Sequence, residues 1–112
     1  MKLRLHAGSL RLRLSQSEVT RLQEAGKVED RVAFSPGNAL VYSIETGEAL
    51  VADLHNGEIR IVLPRPAAAQ WMESDQTGIE ASTGTLKLLV EKDFQCLHRP
   101  PEEDAFPNPL AS

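Results

Sequence analysis

The sequence predicts an α+β protein, mainly an antiparallel sheet or partly closed barrel of about seven or eight strands, with two short helices and an extended C-terminal arm. Segments in which apolar and polar residues alternate recur along the chain, and this is the period of half-buried strands. Turn residues such as Asn56-Gly57 separate these segments and favour hairpins. Two other segments, near residues 16–25 and 67–75, carry the start signals and apolar spacing of helices.

The first two strands, at 2–6 and 9–14, are predicted to form a hairpin. Five leucines occupy alternate positions in them: Leu3, Leu5, Leu10, Leu12 and Leu14. If Ala7-Gly8 is a two-residue turn, all five leucines lie on one face, so the pattern itself selects this register. The same register sets Arg4 against Arg11 on the opposite face.

A helix is predicted directly after this hairpin. Ser15 and Glu18 have the spacing of a capping box, in which each side chain binds the backbone N–H of the other residue. Val19 and Leu22 fall on one stripe of the helix, and Gly26 suits its C-terminal end.

The second hairpin has the clearest turn signal in the chain. Asn56-Gly57 favours a type I′ turn and lies between strands predicted at 50–55 and 58–63. The resulting register places apolar pairs such as Leu54 with Ile59 on one face and opposite charges on the other. The remaining strands are predicted at 28–34, 40–44, 77–81 and 85–94. No internal repeat is apparent.

Composition indicates one globular domain at 1–98 followed by an acidic, proline-rich arm at 99–112. A net charge of −4 argues against general nucleic-acid binding, which needs clustered cations. A single cysteine excludes an internal disulfide framework and fits a reducing compartment. The N-terminus alternates and so does not resemble a signal peptide, and no apolar run is long enough to span a membrane. We therefore expect a cytoplasmic protein without a membrane partner.

Three segments, Ser9–Val19, Trp71–Glu80 and Val90–Pro109, resemble a family of small bacterial proteins of unknown function. The similarity covers nearly the whole chain, and the last segment is the most specific. The resemblance implies a stand-alone bacterial protein of the cytosol. It supplies no catalytic residues.

Four basic residues form the first candidate site, on the charged face of the first hairpin: Lys2, Arg4, Arg11 and Arg13. Like charges directly opposed in a sheet are destabilising, so we expect negatively charged groups to lie close to these residues. Carboxylates of Glu91 and Asp93 on the last strand are one candidate. A phosphate, nucleotide or acidic peptide is the other, because arginine offers such groups a bidentate fork.

Cys96 and His98 form the second candidate site, because residues two apart in a strand project from one face. A packing cysteine beside a surface histidine is one interpretation. A metal site, with Zn²⁺ as the possible cofactor, is another and would need a third ligand such as His6, His55 or a carboxylate. A cysteine nucleophile is the third.

The arm carries one aromatic residue among its prolines, Phe106, which we expect to anchor it in a groove of its own domain or of a partner. Our leading hypothesis is a non-enzymatic binding or interaction module that forms a homodimer, because small sheets leave edge strands to be covered. A metal-binding protein built on Cys96 and His98 is the alternative. Anion or nucleotide binding by the basic hairpin is the third hypothesis.

Overall fold

The computed structural model of the chain describes residues 1–94 and Phe106 and confirms the α+β class. Two helices and eight strands lie within these residues. The helices are α1 (Gln16–Ala25) and α2 (Arg65–Glu73). The strands are β1 (Lys2–His6), β2 (Ser9–Leu14), β3 (Lys27–Ser35), β4 (Asn38–Gly47), β5 (Val51–His55), β6 (Glu58–Pro64), β7 (Gly78–Thr83) and β8 (Leu86–Lys92). Neither of these helices is long and apolar enough to cross a membrane.

The strands form two four-stranded sheets instead of one. Sheet A has the order β1-β2-β8-β7, and sheet B has the order β3-β4-β6-β5. The outer pairs of each sheet are antiparallel hairpins, as the turns predict. The central pairs, β2 with β8 and β4 with β6, are parallel. Both sheets are therefore mixed and open, and the strands described here do not close a barrel.

The predicted hairpin registers are confirmed. Arg4 lies opposite Arg11, and Leu54 lies opposite Ile59. Asn56-Gly57 has positive φ at both positions, 49° and 75°, as a type I′ turn requires. The capping box of α1 is also present, with its C-terminal cap in the left-handed region. Helix α2 begins at Arg65, slightly earlier than predicted, because the proline that follows tolerates the first turn of a helix.

The expectation of no internal repeat is wrong. Each half of the chain is a hairpin, a helix and a second hairpin: β1-β2-α1-β3-β4 and then β5-β6-α2-β7-β8. The strands β1, β2, β3 and β4 are the counterparts of β5, β6, β7 and β8. Exchanging each strand with its counterpart turns the strand order of sheet A into that of sheet B. Leu-His-Ala-Gly-Ser-Leu-Arg-Leu at 5–12 corresponds to Leu-His-Asn-Gly-Glu-Ile-Arg-Ile at 54–61. The two halves thus have the same element order and equivalent places in the two sheets.

Equivalent backbone hydrogen bonds also occur in the two sheets. The N–H of Lys87 donates to the Gly8 carbonyl at 2.9 Å, and the N–H of Val41 donates to the Gly57 carbonyl at 3.0 Å. These two hydrogen bonds start the two parallel ladders at equivalent places. A scan for a fixed period misses the repeat because loop lengths differ between halves. The offset is 49 positions from β2 to β6 but 46 from β4 to β8.

The core lies between the two sheets and the two helices. Leu12 and Leu14 of β2 and Ile61 and Leu63 of β6 occupy equivalent positions and are fully buried. Burying each of these side chains contributes about 1.5–3 kcal/mol. Trp71 of α2 is also fully buried, and its indole N–H donates to the backbone carbonyl of Thr77 at 3.2 Å.

Gly57→Ala should destabilise the second hairpin more than Gly37→Ala destabilises the turn between β3 and β4. Both glycines have positive φ, 75° and 80°, so each alanine costs about 1–2 kcal/mol in the left-handed region. A Cβ at Gly57 would also meet the Ala39 carbonyl oxygen at 3.2 Å, whereas nothing lies within 4 Å at Gly37. Urea unfolding measures both losses. Equal losses would show that the contact with Ala39 is relieved at no cost.

Candidate functional site

The outer face of sheet A, which points away from the core, collects most of the basic side chains of the strands. It holds five basic residues other than histidine and two carboxylates. Its twelve positions are Lys2, Arg4 and His6 on β1, Ser9, Arg11 and Arg13 on β2, Lys87, Leu89 and Glu91 on β8, and Gly78, Glu80 and Ser82 on β7. In a chain of net charge −4 this face is a local excess of positive charge.

Carboxylates hold three of the four basic residues that the sequence singles out. The guanidinium groups of Arg11 and Arg13 both donate to one oxygen of Glu91, at 2.5 and 2.7 Å. Lys2 pairs with Asp93 at 2.8 Å. The carboxylates raised as the alternative to a bound ligand are therefore in contact with these cations.

The pKa of Glu91 reflects this position. Burial by itself would raise it, but the hydrogen bonds and charges of Arg11 and Arg13 outweigh burial, so the pKa lies below its ordinary value. Glu91 is therefore ionised at neutral pH and fixes both guanidinium groups on the outer face of sheet A.

Arg4 and Lys87 differ from the other cations of this face. Neither forms an ion pair with any of the described residues. Both line a cavity of about 690 Å³ on the outer face of sheet A, which all four strands contribute to. His6, Ser9 and Leu89 also line it. The volume lies within the range of small-molecule sites.

Lys87 is absent from the predicted basic face, although it is part of the cavity. Lys87 lines the cavity because β8 pairs with β2 in parallel, in a register that places Lys87 beside Ser9. The only local signal for Lys87 is its place between the core-facing Leu86 and Leu88, which puts it on the outer face of a strand. That signal cannot say which sheet the strand joins.

Sheet B provides an internal comparison for this charge pattern. Its Arg60–Glu45 ion pair, at 2.5 Å, is the counterpart of Arg11–Glu91. The other two cavity cations are not repeated, because Asp53 stands in the place of Arg4 and Val41 in the place of Lys87. Arg4 and Lys87 are therefore particular to sheet A and are not required by the fold.

The predicted metal site lies outside the described residues, because neither Cys96 nor His98 is among them. Two of the proposed third ligands, His6 and His55, lie at equivalent turns in different sheets. Within residues 1–94 and Phe106, no three His, Cys, Asp or Glu side chains lie close enough together to hold a metal ion. The metal hypothesis remains a prediction.

Phe106 lies at the end of sheet A, beyond β8. Its N–H donates to the Asp93 carbonyl at 2.8 Å, and its ring packs on Phe94 with centroids 5.7 Å apart. The ammonium of Lys92 lies 5.7 Å from the ring centroid and donates to the Ser74 carbonyl at 2.7 Å. Burial lowers the pKa of Lys92. Phe106 thus contacts its own domain, and a role in partner binding remains a prediction.

The edge strands on which the expected homodimer rests differ in character. β1 carries basic side chains at its edge, and such charges discourage pairing with another sheet. The second half of β3 carries exposed apolar residues instead, with Val32 at 43% and Phe34 at 73% of full exposure. Among the described edge strands, β3 exposes two large apolar side chains, whereas β1 and β5 expose one each, Leu5 and Leu54. Self-association remains a prediction.

Phe106→Ala should lower the free energy of unfolding by about 1–2 kcal/mol, because a half-buried aromatic ring loses part of its burial energy. Phe34→Ala is the matched control, since that ring is largely exposed and should change stability little. Urea unfolding of both variants measures the difference. Equal stability of the two would mean that the contacts of Phe106 contribute nothing.

Glu91→Gln should destabilise the protein by about 1–2 kcal/mol at pH 7, because it leaves two arginines without their acceptor. The lowered pKa of Glu91 means that its stabilisation is present above the ordinary carboxyl pKa of 4.5 and is lost as the pH falls through the folded value. The difference from wild type should therefore shrink in acid. Unfolding at pH 7 and pH ~3 measures it, with exposed Glu24→Gln as control. A difference independent of pH would contradict the assignment.

The comparisons with known proteins place the chain in a family. Residues 1–110 match a family of unknown function, DUF7009, which confirms the resemblance to such a family, whereas a bacterial origin remains a prediction. No curated protein and no solved structure matches the chain. Because the match covers all but the last two residues, the chain belongs to this family of unknown function.

Proposed function

We propose that the protein is a non-enzymatic module that binds a small anionic molecule in the cavity on the outer face of sheet A. The observation that carries the proposal is the pair of cations, Arg4 and Lys87, that line one cavity without an ion pair among the described residues. Lys2 and Arg13, which the sequence grouped with Arg4, are held by carboxylates and serve the sheet.

The electrostatics of the cavity favour an anion. Arg4 lies directly opposite Arg11, and like charges at opposed positions of a sheet cost a few tenths of a kcal/mol up to about 1 kcal/mol. Glu91 neutralises Arg11 but forms no ion pair with Arg4. An anion bound between Arg4 and Lys87 would remove the remaining repulsion and accept charge-assisted hydrogen bonds from both.

The cavity also has features that fit an organic ligand better than a free inorganic ion. Leu89, half-buried, gives it an apolar surface between the charged positions. Apolar walls with a few placed polar groups are typical of small-molecule sites. Arg11 is fixed by Glu91 and cannot close over the ligand, so Arg4 and Lys87 are the residues expected to adjust on binding.

Phosphate should bind this cavity weakly and specifically. Titrating ¹⁵N-labelled protein with phosphate, against chloride at matched ionic strength, should shift the amide signals of β1, β2 and β8. Arg4→Gln and Lys87→Gln should each raise Kd about tenfold, which corresponds to ~1.4 kcal/mol for one lost charge-assisted contact. Arg31→Gln is the matched control, because Arg31 is an exposed cation on sheet B.

Two outcomes would overturn the proposal. One is a shift pattern that chloride reproduces at the same ionic strength. The other is equal weakening by Arg31→Gln and Arg4→Gln, which would show that phosphate responds to net charge and not to this cavity.

A further inference from the structure

One row of the cavity lining is polarised across the width of sheet A. One row of side chains crosses all four strands: Arg4, then Arg11, then Leu89, then Glu80. Neighbouring strands lie about 4.8 Å apart, so the Cα atoms of Arg4 and Glu80 are separated by roughly 14 Å. A cation therefore stands at one edge of the cavity and a carboxylate at the other, with an apolar side chain between them.

Glu80 is the third charged residue of this cavity, after Arg4 and Lys87, to which the described residues give no ion pair. It forms no ion pair within the described part of the chain, although Lys87 lies only one row away on the next strand. Its counterpart on sheet B, Glu29, does have a partner, since Lys27 lies 3.7 Å away. Sheet A has Gly78 in the place of that lysine.

Close packing around Gly78 excludes a lysine side chain at this position. A Cβ at Gly78 would lie 2.9 Å from the carbonyl oxygen of Val90 and 3.1 Å from the Cβ of Glu91. Real Cβ atoms do not approach backbone oxygens so closely, so no lysine fits there without moving β8. The carboxylate of Glu80 consequently faces the cavity without the neighbour that its counterpart has.

We infer that the ligand of this cavity is a zwitterion: a small molecule with an anionic group at one end, an ammonium or similar cation at the other and an apolar segment between. The anionic group meets Arg4 and Lys87, the apolar segment lies on Leu89, and the cation meets Glu80. The inference rests on the proposed anion site and adds the chemistry of the far end of the ligand.

The exposure of Glu80 determines how strongly the cavity should prefer a ligand with a cationic end. Glu80 is exposed, and exposed ion pairs contribute only about 0.2–1 kcal/mol. An ammonium at the far end of a ligand should therefore tighten binding by at most about fivefold. The anionic end supplies the larger part of the affinity, because two cations contact it.

The test compares 6-aminohexanoate with N-acetyl-6-aminohexanoate, which keeps the carboxylate and the chain but loses the positive charge. In an amide-shift titration the wild type should bind the free amine measurably more tightly, by up to about fivefold. Glu80→Gln should abolish this preference and leave the affinity for the acetylated probe unchanged. Glu58→Gln, which removes a carboxylate from sheet B, is the control and should keep the preference.

The outcomes separate this inference from the proposed function. If the protein binds phosphate in an Arg4-dependent way but does not prefer the free amine, or binds neither probe, the zwitterion is wrong and the anion site stands. A preference that survives Glu80→Gln also overturns the inference. If chloride at the same ionic strength reproduces the shifts caused by phosphate, the proposed anion site is wrong and the inference fails with it.

Discussion

The fold depends on two parallel strand pairings, β2 with β8 and β4 with β6, because neither half of the chain can form a sheet centre alone. In each sheet one central strand comes from the first half and the other from the second. Fully buried pairs such as Leu12 with Val90 and Ile44 with Ile61 face each other across these ladders. Separating the halves would break both sheets and open the core in one step.

The equivalence of the two halves also explains how one outer face carries a candidate site while the other does not. The Arg–Glu pair beside each central ladder occurs twice, as Arg11–Glu91 and Arg60–Glu45, which suits a contact that serves the fold. Positions around that pair differ between the halves. Arg4, Lys87 and Leu89 of sheet A correspond to Asp53, Val41 and Ser43 of sheet B. These positions, which differ between the two sheets, are the ones that line the cavity.

The predicted basic face is consequently part structural and part candidate site. Its four cations share one strand face and one local pattern, so no local rule separates them. The separation comes from β8, which brings Glu91 against Arg11 and Arg13, whereas no ion pair within the described part of the chain holds Arg4. The same strand supplies Lys87 and Leu89, and its hairpin partner β7 supplies Glu80. Three of the residues that carry the proposals thus come from a segment about 75 positions away from the predicted site.

The sequence by itself determined what depends on neighbours along the chain. Alternation and turn chemistry set both predicted hairpin registers, and Ser15 with Glu18 started α1. Only the tertiary structure decided the parallel pairings, the repeat and the composition of the cavity. Antiparallel strands in a hairpin share a turn that is visible in the sequence, whereas a parallel pair is joined by a long crossover and leaves no local mark. Which strand lies beside β2 is settled by the packing of both halves on one core, and the positions of Lys87 and Glu80 follow from it.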